Sequence, residues 1–247
     1  MKELNKDKII QNLPIDRLNI DIFNDIDSTN DEAKRINLTK DFHIVIAEQQ
    51  HKGRGRLGKK WSSPDLGNIY MTVCSEKDLS HLPLSLVVGV ICKKGIEKLT
   101  NNNEIKLKWP NDILHNNKKV GGVLIEKEIF RGSTRTIIGI GINLNIKKEE
   151  SWWGDLSKYK LETKRNKLIN LIISEIIKLD HHYEYEWINA WRSGCVHLNR
   201  EIEIYKDEEF IKKVIFKDID ENGNGILQSK NGHEKISSGK INIKGIY

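Results

Sequence analysis

Residues 41–61, "DFHIVIAEQQHKGRGRLGKKW", run a β-branched apolar segment straight into a basic, glycine-rich loop. Residues 41–48 predict a strand, and "GNIYMTVC" at 67–74 predicts another, with no helix-length segment between them. The order strand, loop, strand departs from the β–α alternation of a doubly wound sheet. The loop also lacks the Lys-Ser/Thr ending of a phosphate-binding P-loop, so that site is disfavoured. Its five cations are Lys52, Arg54, Arg56, Lys59 and Lys60. Gly53, Gly55 and Gly58 let the backbone approach a ligand closely. In an extended loop Arg54 and Arg56, two apart, point the same way. On its own the pattern fits a solvated basic loop, a nucleic-acid contact or a small-anion site.

The rest of the chain carries mixed elements. Residues 29–37 predict a short helix, with Thr29 and Glu32 at capping-box spacing and Ser28 just ahead. Leu84, Val87, Val88, Ile91 and Gly95 share one side of a helix predicted over 84–99. "EIKLKWPND" (104–112) alternates as a half-buried strand stopped by Pro110, and 118–129 and 135–146 predict two more strands. The first of these two is expected to form a hairpin with the strand before it. Residues 166–192 predict a long amphipathic helical region. After Cys195 short strands separated by Asp/Asn/Gly turns predict a small β-barrel module. The expectation is an α+β fold, a mixed sheet flanked by helices, followed by that module.

Composition narrows the class. The chain has 247 residues, 38% hydrophobic and 31% charged, with net charge +6, as in a globular protein that can bind something anionic. No apolar run reaches membrane-span length, and "MKELNKDKII" has no signal-peptide core. Cys74, Cys92 and Cys195 are scattered, which predicts reduced thiols, no structural zinc and a cytoplasmic protein.

Four further segments bear candidate chemistry. "KWPND" (108–112) delivers the Asp112 carboxylate at a sheet rim, or forms an Asx-type turn. In "KKVGG" (118–122), Lys119 precedes Gly121 and Gly122, where backbone can come close to a ligand, or it is a surface hairpin lysine. "GIGIN" (139–143) thins a strand and exposes Asn143. "STN" (28–30) opens the first helix, with Ser28 and Thr29 read as caps, ligand contacts or both.

Taken in order, "STN", "QHKGRGRLGKKW" (50–61), "KWPND", "KKVGGVLIE" (118–126) and "GIGINLN" (139–145) resemble the biotin protein ligases, over about residues 27–247. The resemblance implies a biotin/lipoate ligase-like catalytic domain over 1–196 and an SH3-like β-barrel over 197–247. It implies an ATP-dependent enzyme that makes biotinoyl-5′-AMP and passes biotin to a lysine of the biotin carboxyl carrier protein. A lipoate or octanoate ligase of the same fold is the alternative. Ser28, Thr29, Asn30, Gln50, Gly53, Gly55 and Gly122 are then expected at biotin. Lys119 bridges its carboxyl and the α-phosphate, Arg56 holds the closed loop and the adenylate, and Arg54 contacts biotin or phosphate. Trp61 walls the adenine or anchors the loop in the core. Asn143 lies toward the nucleotide, and Trp152 or Trp153, in "EESWWG" (149–154), stacks on adenine or packs half-buried. Asp112 orients the acceptor amine or takes its proton. Lys52, Lys59 and Lys60 read as solvated, and Mg²⁺ accompanies ATP.

Some members of that family also carry an N-terminal DNA-binding domain. Only 27 residues precede "STN", too few for one, so a monofunctional ligase without a nucleic-acid partner is expected. Homodimerisation is compatible with sheet edges that pair between subunits.

Overall fold

The computed structural model describes residues 3–146, 150–180, 186–206, 208–229, 232–239 and 241–244. The chain opens with α1 (Lys6–Ile10), β1 (Leu18–Ile26), α2 (Thr29–Arg35), β2 (Phe42–Gln50) and β3 (Ile69–Ser75). Next come α3 (Leu84–Thr100), β4 (Lys106–Lys108), β5 (Asp112–His115), β6 (Lys118–Phe130) and β7 (Ser133–Ile142). Then follow α4 (Arg165–Ile176), α5 (Trp187–Gly194), β8 (Arg200–Lys206) and β9 (Glu209–Ile219). The last strands are β10 (Gly225–Ser229), β11 (Gly232–Ile236) and β12 (Ile241–Lys244).

A seven-stranded mixed sheet has the order β1-β2-β3-β7-β6-β5-β4, with β1 parallel to β2 and the other pairs antiparallel. One face is buried under α3 and α4. Leu168, Ile169, Ile172, Ile173 and Ile176 form the inward stripe of α4, and Leu168 packs on Gly95 of α3. The other face carries α2, whose Ala33 packs against Val45, Cys74 and Ile137. The cap of α2 is Ser28, not Thr29: its Oγ accepts from the Asp31 amide at 3.4 Å. The helical region expected over 166–192 divides into α4 and α5; its residues 181–185 lie outside those described. No described helix is long and apolar enough to cross a membrane.

The C-terminal strands form a five-stranded antiparallel sheet, order β11-β10-β9-β8-β12, around Ile202, Ile204, Val214, Phe216, Leu227 and Ile243. The expected barrel does not close among the described residues. β12 pairs with β8 and leaves β11 at the opposite edge, while β9 bends through register shifts against both neighbours.

This sheet is fastened to the "KWPND" segment. The strand expected over 104–112 stops at Lys108 and reverses through a cis Trp109–Pro110 turn, so that Asp112 begins β5. Trp109, 1% exposed, donates its backbone N–H to His197 Nε2 at 3.0 Å and its indole N–H to the Gly223 carbonyl at 2.9 Å. His197 must therefore be neutral, and burial pushes its pKa down to about 3, with Lys108 adding to the shift. Unfolded histidine titrates near 6.5. Between about 6.5 and 3 the unfolded chain takes up a proton that the folded chain refuses, so this contribution is complete above 6.5 and lost as pH falls. His197→Gln is expected to flatten the acid limb of the melting temperature, measured from pH 7 to 4, relative to the unsubstituted protein. An unchanged limb would remove His197 from the account.

Candidate functional site

Directly opposed residues of neighbouring strands share a face. The register therefore puts Tyr70 (β3), Gly141 (β7), Gly122 (β6), Asp112 (β5) and Lys108 (β4) in one line across the α2 face of the large sheet. A neighbouring line holds Val45, Thr72, Gly139 and Leu124. Three of these positions are glycine, so main chain forms a floor there. At Gly141 a Cβ would lie 2.5 Å from Trp61 Cε2, and at Gly139 it would collide with the Asn30 amide.

Lys119 reaches this face through a bulge. Ile113 opposes Gly121 but Leu114 opposes Lys119, so Val120 is the extra residue and the strand slips by one. A one-residue slip transfers a side chain to the other face. Val120 enters the core, and Lys119 Nζ lies 2.6 Å from Asp112 Oδ1 and 5.3 Å from the centre of the Trp61 ring. Lys108 is 5% exposed on the far side of Asp112, and burial pushes its pKa down to about 8, opposed by the Asp112 charge.

Above this floor lies a cavity of about 520 Å³. Its inner end is polar. The Gln50 Oε1 accepts from the Thr29 amide at 2.8 Å and the Thr29 hydroxyl at 3.0 Å, and Gln50 Nε2 donates to Ser63 Oγ. Thr72 Oγ1 lies 2.6 Å from Asn30 Oδ1. Val123, Leu124, Ile140 and Trp61 supply apolar lining, and Arg56, Lys59, Lys60 and Lys119 supply positive charge. A ligand with a neutral head, an apolar body and an anionic end matches that sequence of surfaces.

The 53–61 segment is folded over the cavity as a short hairpin. Trp61 N–H donates to the Gly53 carbonyl at 2.9 Å and Gly55 N–H to the Lys59 carbonyl at 2.6 Å. Residues 56–58 make a 3-10 turn, with Leu57 at φ 55°. This turn overturns the reading of Arg54 and Arg56 as parallel side chains of an extended loop. Arg54 turns to Asp31 and Glu126 instead of lying free at the cavity. Arg56 donates to the Ser238 carbonyl, between β11 and β12, and burial lowers its pKa against the opposing charge of Asp112.

Ser28, Thr29, Asn30, Gln50, Arg54, Gly55, Arg56, Trp61, Lys119, Gly122, Asn143, Trp152 and Trp153 all line this cavity. Gly53 does not: a Cβ there would lie 2.5 Å from the Trp61 carbonyl, so its need for glycine comes from packing within the hairpin. Asp112 sits behind Lys119 instead of on the wall. Lys59 and Lys60, expected to be solvated, are lining residues. Of "EESWWG", Glu149 lies outside the described residues. The segment from Glu150 onward walls the cavity by pairing beside β6: Lys119 N–H donates to the Trp152 carbonyl at 3.0 Å and Gly154 N–H to the Lys119 carbonyl at 2.8 Å. Asn143 fixes that wall by donating from Nδ2 to the Gly154 carbonyl.

Thr72, Asn111, Asp31, Glu126 and Asn242 join the site without being among the residues expected there. Asn111 lies inside a quoted motif and lines the cavity, with Nδ2 donating to the Val123 carbonyl. Asn242 arrives from β12 and carries no local signal.

The sequence profile of the biotin/lipoate A/B protein ligase family matches residues 22–145, and that of the biotin protein ligase C-terminal domain matches 197–243. The bifunctional ligase/repressor BirA of Escherichia coli is 30% identical over 234 residues, covering 89% of this chain and 72% of that protein. The biotin–[acetyl-CoA-carboxylase] ligase of Paracoccus denitrificans is 33% identical over 124 residues, 48% of this chain and 51% of that one. A biotin protein ligase from Aquifex aeolicus, solved in complex with biotin and ATP, aligns with a TM-score of 0.74 at 26% identity, covering 92% of this chain and 98% of that chain.

Proposed function

This chain belongs to the biotin/lipoate A/B protein ligase family, and from that premise we propose that it is an ATP-dependent biotin protein ligase acting in two steps. A biotin carboxylate oxygen attacks the α-phosphorus of ATP, a P–O bond forms, and the bond to pyrophosphate breaks. The amine of a carrier-protein lysine then attacks the carbonyl carbon of the mixed anhydride, a C–N bond forms, and AMP leaves. The observation that carries this reading is the placement of Lys119, brought onto the site face by its bulge, at the cationic end of a cavity whose other end is polar and neutral.

The residues divide the work accordingly. Thr29, Asn30 and Gln50 offer donors and acceptors to the ureido ring, with Ser28 shaping the helix start beside them. Lys119 and Arg56 stabilise the negative charge gathered when a carboxylate meets a phosphate, an effect that strengthens as water is excluded. Trp61 anchors the hairpin on Gly141, and Trp152, 37% exposed, is the indole open to an adenine. The acceptor amine must lose a proton before it attacks, since free lysine titrates near 10.4. Asp112 attracts and orients that amine; its pairing with Lys119 at 2.6 Å favours steering over proton abstraction.

Mg²⁺ would enter with ATP, the phosphates supplying most of its oxygens. Among the described residues there is no cluster of three or more His, Cys, Asp or Glu able to hold a metal alone. Glu150, the acidic side chain lining the cavity, is the protein donor we assign, and the ion would offset charge on the leaving pyrophosphate. A division at 196/197 is supported by the profile match starting at 197. The free thiols Cys74, Cys92 and Cys195 fit a reducing cytoplasm. The outer edge of β1 offers a strand to a second copy, in keeping with a homodimer.

The test is direct. With biotin and ATP the protein should release pyrophosphate, hold a species of the mass of biotinoyl-5′-AMP, and label a biotin carboxyl carrier domain on its lysine. Adenylation and transfer of lipoate or octanoate in place of biotin would overturn the assignment in favour of the sister activity.

A further inference from the structure

A balanced charge cluster lies beside the cavity, off the line that holds Asp112. The Arg54 guanidinium makes a bidentate contact with Asp31 of α2, NH2 lying 2.7 Å from Oδ1 and NH1 closer still to Oδ2. The same NH2 lies 3.3 Å from Glu126 Oε2 on β6. Lys34, also on α2, places Nζ 2.7 Å from Glu126 Oε1 and 3.8 Å from Asp31 Oδ1. Asn30 joins from the polar end of the cavity, donating from Nδ2 to Glu126 Oε2 at 2.6 Å. Two cations therefore face two carboxylates, each side chain a quarter to a third exposed. Arg54 is thereby neutralised by contact. Arg56 has no carboxylate within ion-pair distance among the described residues, only the Ser238 carbonyl.

The hairpin needs such an anchor. An isolated two-stranded ribbon is marginal in water, and this one spans nine residues with three glycines and an αL leucine at its tip. Its base is tied by Gln50–Ser63 and by the Trp61 ring on the sheet, and Arg54 adds side-chain bonds to α2 and β6. Helix α2 also carries Thr29 and Asn30, so the polar end and the roof of the cavity hang on the same seven-residue element.

We propose that Asp31 and Glu126 are positioning residues for the ligase reaction, holding Arg54 and through it the 53–61 hairpin seated over the bound adenylate, and that Arg56 is the hairpin arginine left to meet the anionic ligand. This rests on the function proposed above. Asp31→Asn keeps the shape of the side chain and removes its charge. Losing a charge-assisted bidentate contact is expected to speed dissociation of biotinoyl-5′-AMP about tenfold to a hundredfold. The maximal rate of carrier labelling at saturating biotin and ATP should stay within about threefold, because Asp31 touches no reacting atom. Asp31→Glu should restore retention.

Arg54→Ala removes the same contact from the other side, and the double variant should retain adenylate no worse than Arg54→Ala alone, since the two act as one unit. Trypsin, which cuts after Arg54, Arg56, Lys59 and Lys60, should cleave the ligand-free hairpin faster in Asp31→Asn than in the unsubstituted protein. Unchanged retention in Asp31→Asn, or additive losses in the double variant, would overturn the proposal. A protein that makes no adenylate from biotin would instead defeat the functional reading. The anchor then stands if the trypsin rate rises and falls if it does not.

Discussion

Lys119→Ala is expected to slow biotinoyl-adenylate formation about a thousandfold, measured as biotin-dependent pyrophosphate release. Two losses add. Removing one fixed donor aimed at developing charge typically costs about 100- to 1,000-fold in rate. The substitution also takes the Lys119 ammonium away from Asp112, whose side chain is only 14% exposed, leaving the buried Lys108 on its far side as partial compensation. At ~5 Å in a cavity open to water, with an effective dielectric constant of ~50, two like charges repel by about 1.3 kcal/mol, roughly a further tenfold in rate. The second loss gives the prediction its signature. Adding Asp112→Asn to Lys119→Ala should recover roughly tenfold in adenylation, while labelling of the carrier protein should not recover in step, because the group that steers the amine has gone. Lys119→Ala within tenfold of the unsubstituted rate would show that the pair does not serve the first step.

Gly141→Ala should be among the most damaging single-methyl changes at the described glycines. The added carbon would lie 2.5 Å from Trp61 Cε2, 2.6 Å from Cζ2 and 2.7 Å from Nε1. An indole cannot yield at its ring fusion as a flexible side-chain tip can, so the ring must leave the floor. It takes with it the hairpin bond from Trp61 N–H to Gly53 and the ring beneath Lys119. Overpacking of this kind costs about 1–3 kcal/mol in stability, and thermal denaturation should show a drop of several degrees. The larger effect should fall on ligand: affinity for biotin and ATP, measured by calorimetry, is expected to drop at least about a hundredfold. Gly58→Ala is the control on the same hairpin, with open space around the added carbon and an αL strain of about 1 kcal/mol at φ 71°. Equal losses in the two variants would mean that the Trp61 seat is not what the floor glycine protects.

The parts of the fold legible in sequence are those with their own period. β2, β3 and α3 begin and end within about two residues of their apolar patterns. β1 carries the same kind of signal, Leu18, Ile20 and Ile22 against Asn19 and Asp21, but lies ahead of the motifs, which begin at Ser28. Pro110 was correctly a strand stop, but whether the chain continues or doubles back after a stop is decided by Trp109 docking on His197 and Gly223, some 90 and 114 residues away. The site was legible as a set of residue types and much less so as a set of contacts. Lys119 and Asp112 could each be named, but their pairing requires a one-residue bulge that no local pattern announces. Arg54 reads as a ligand contact and does line the cavity, but its ion pairs with Asp31 and Glu126, 23 and 72 residues away in sequence, leave no local trace.

The glycines at 122, 139 and 141 have a consequence for anyone wishing to change what this cavity accepts. Where a pocket floor is made of side chains, it can be remodelled by swapping rotamers or trimming a methyl group. Here the floor is hydrogen-bonded main chain, with neighbouring strands fixed at about 4.8 Å spacing, and there is nothing left on it to trim. Over Gly141 and Gly139 the space is already taken by the Trp61 ring and the Asn30 amide, so bulkier analogues have no room to gain by directed evolution of the glycines themselves. Tolerance must come from the walls, at Leu124, Ile140 or the Trp152–Trp153 segment, where whole side chains remain to be exchanged.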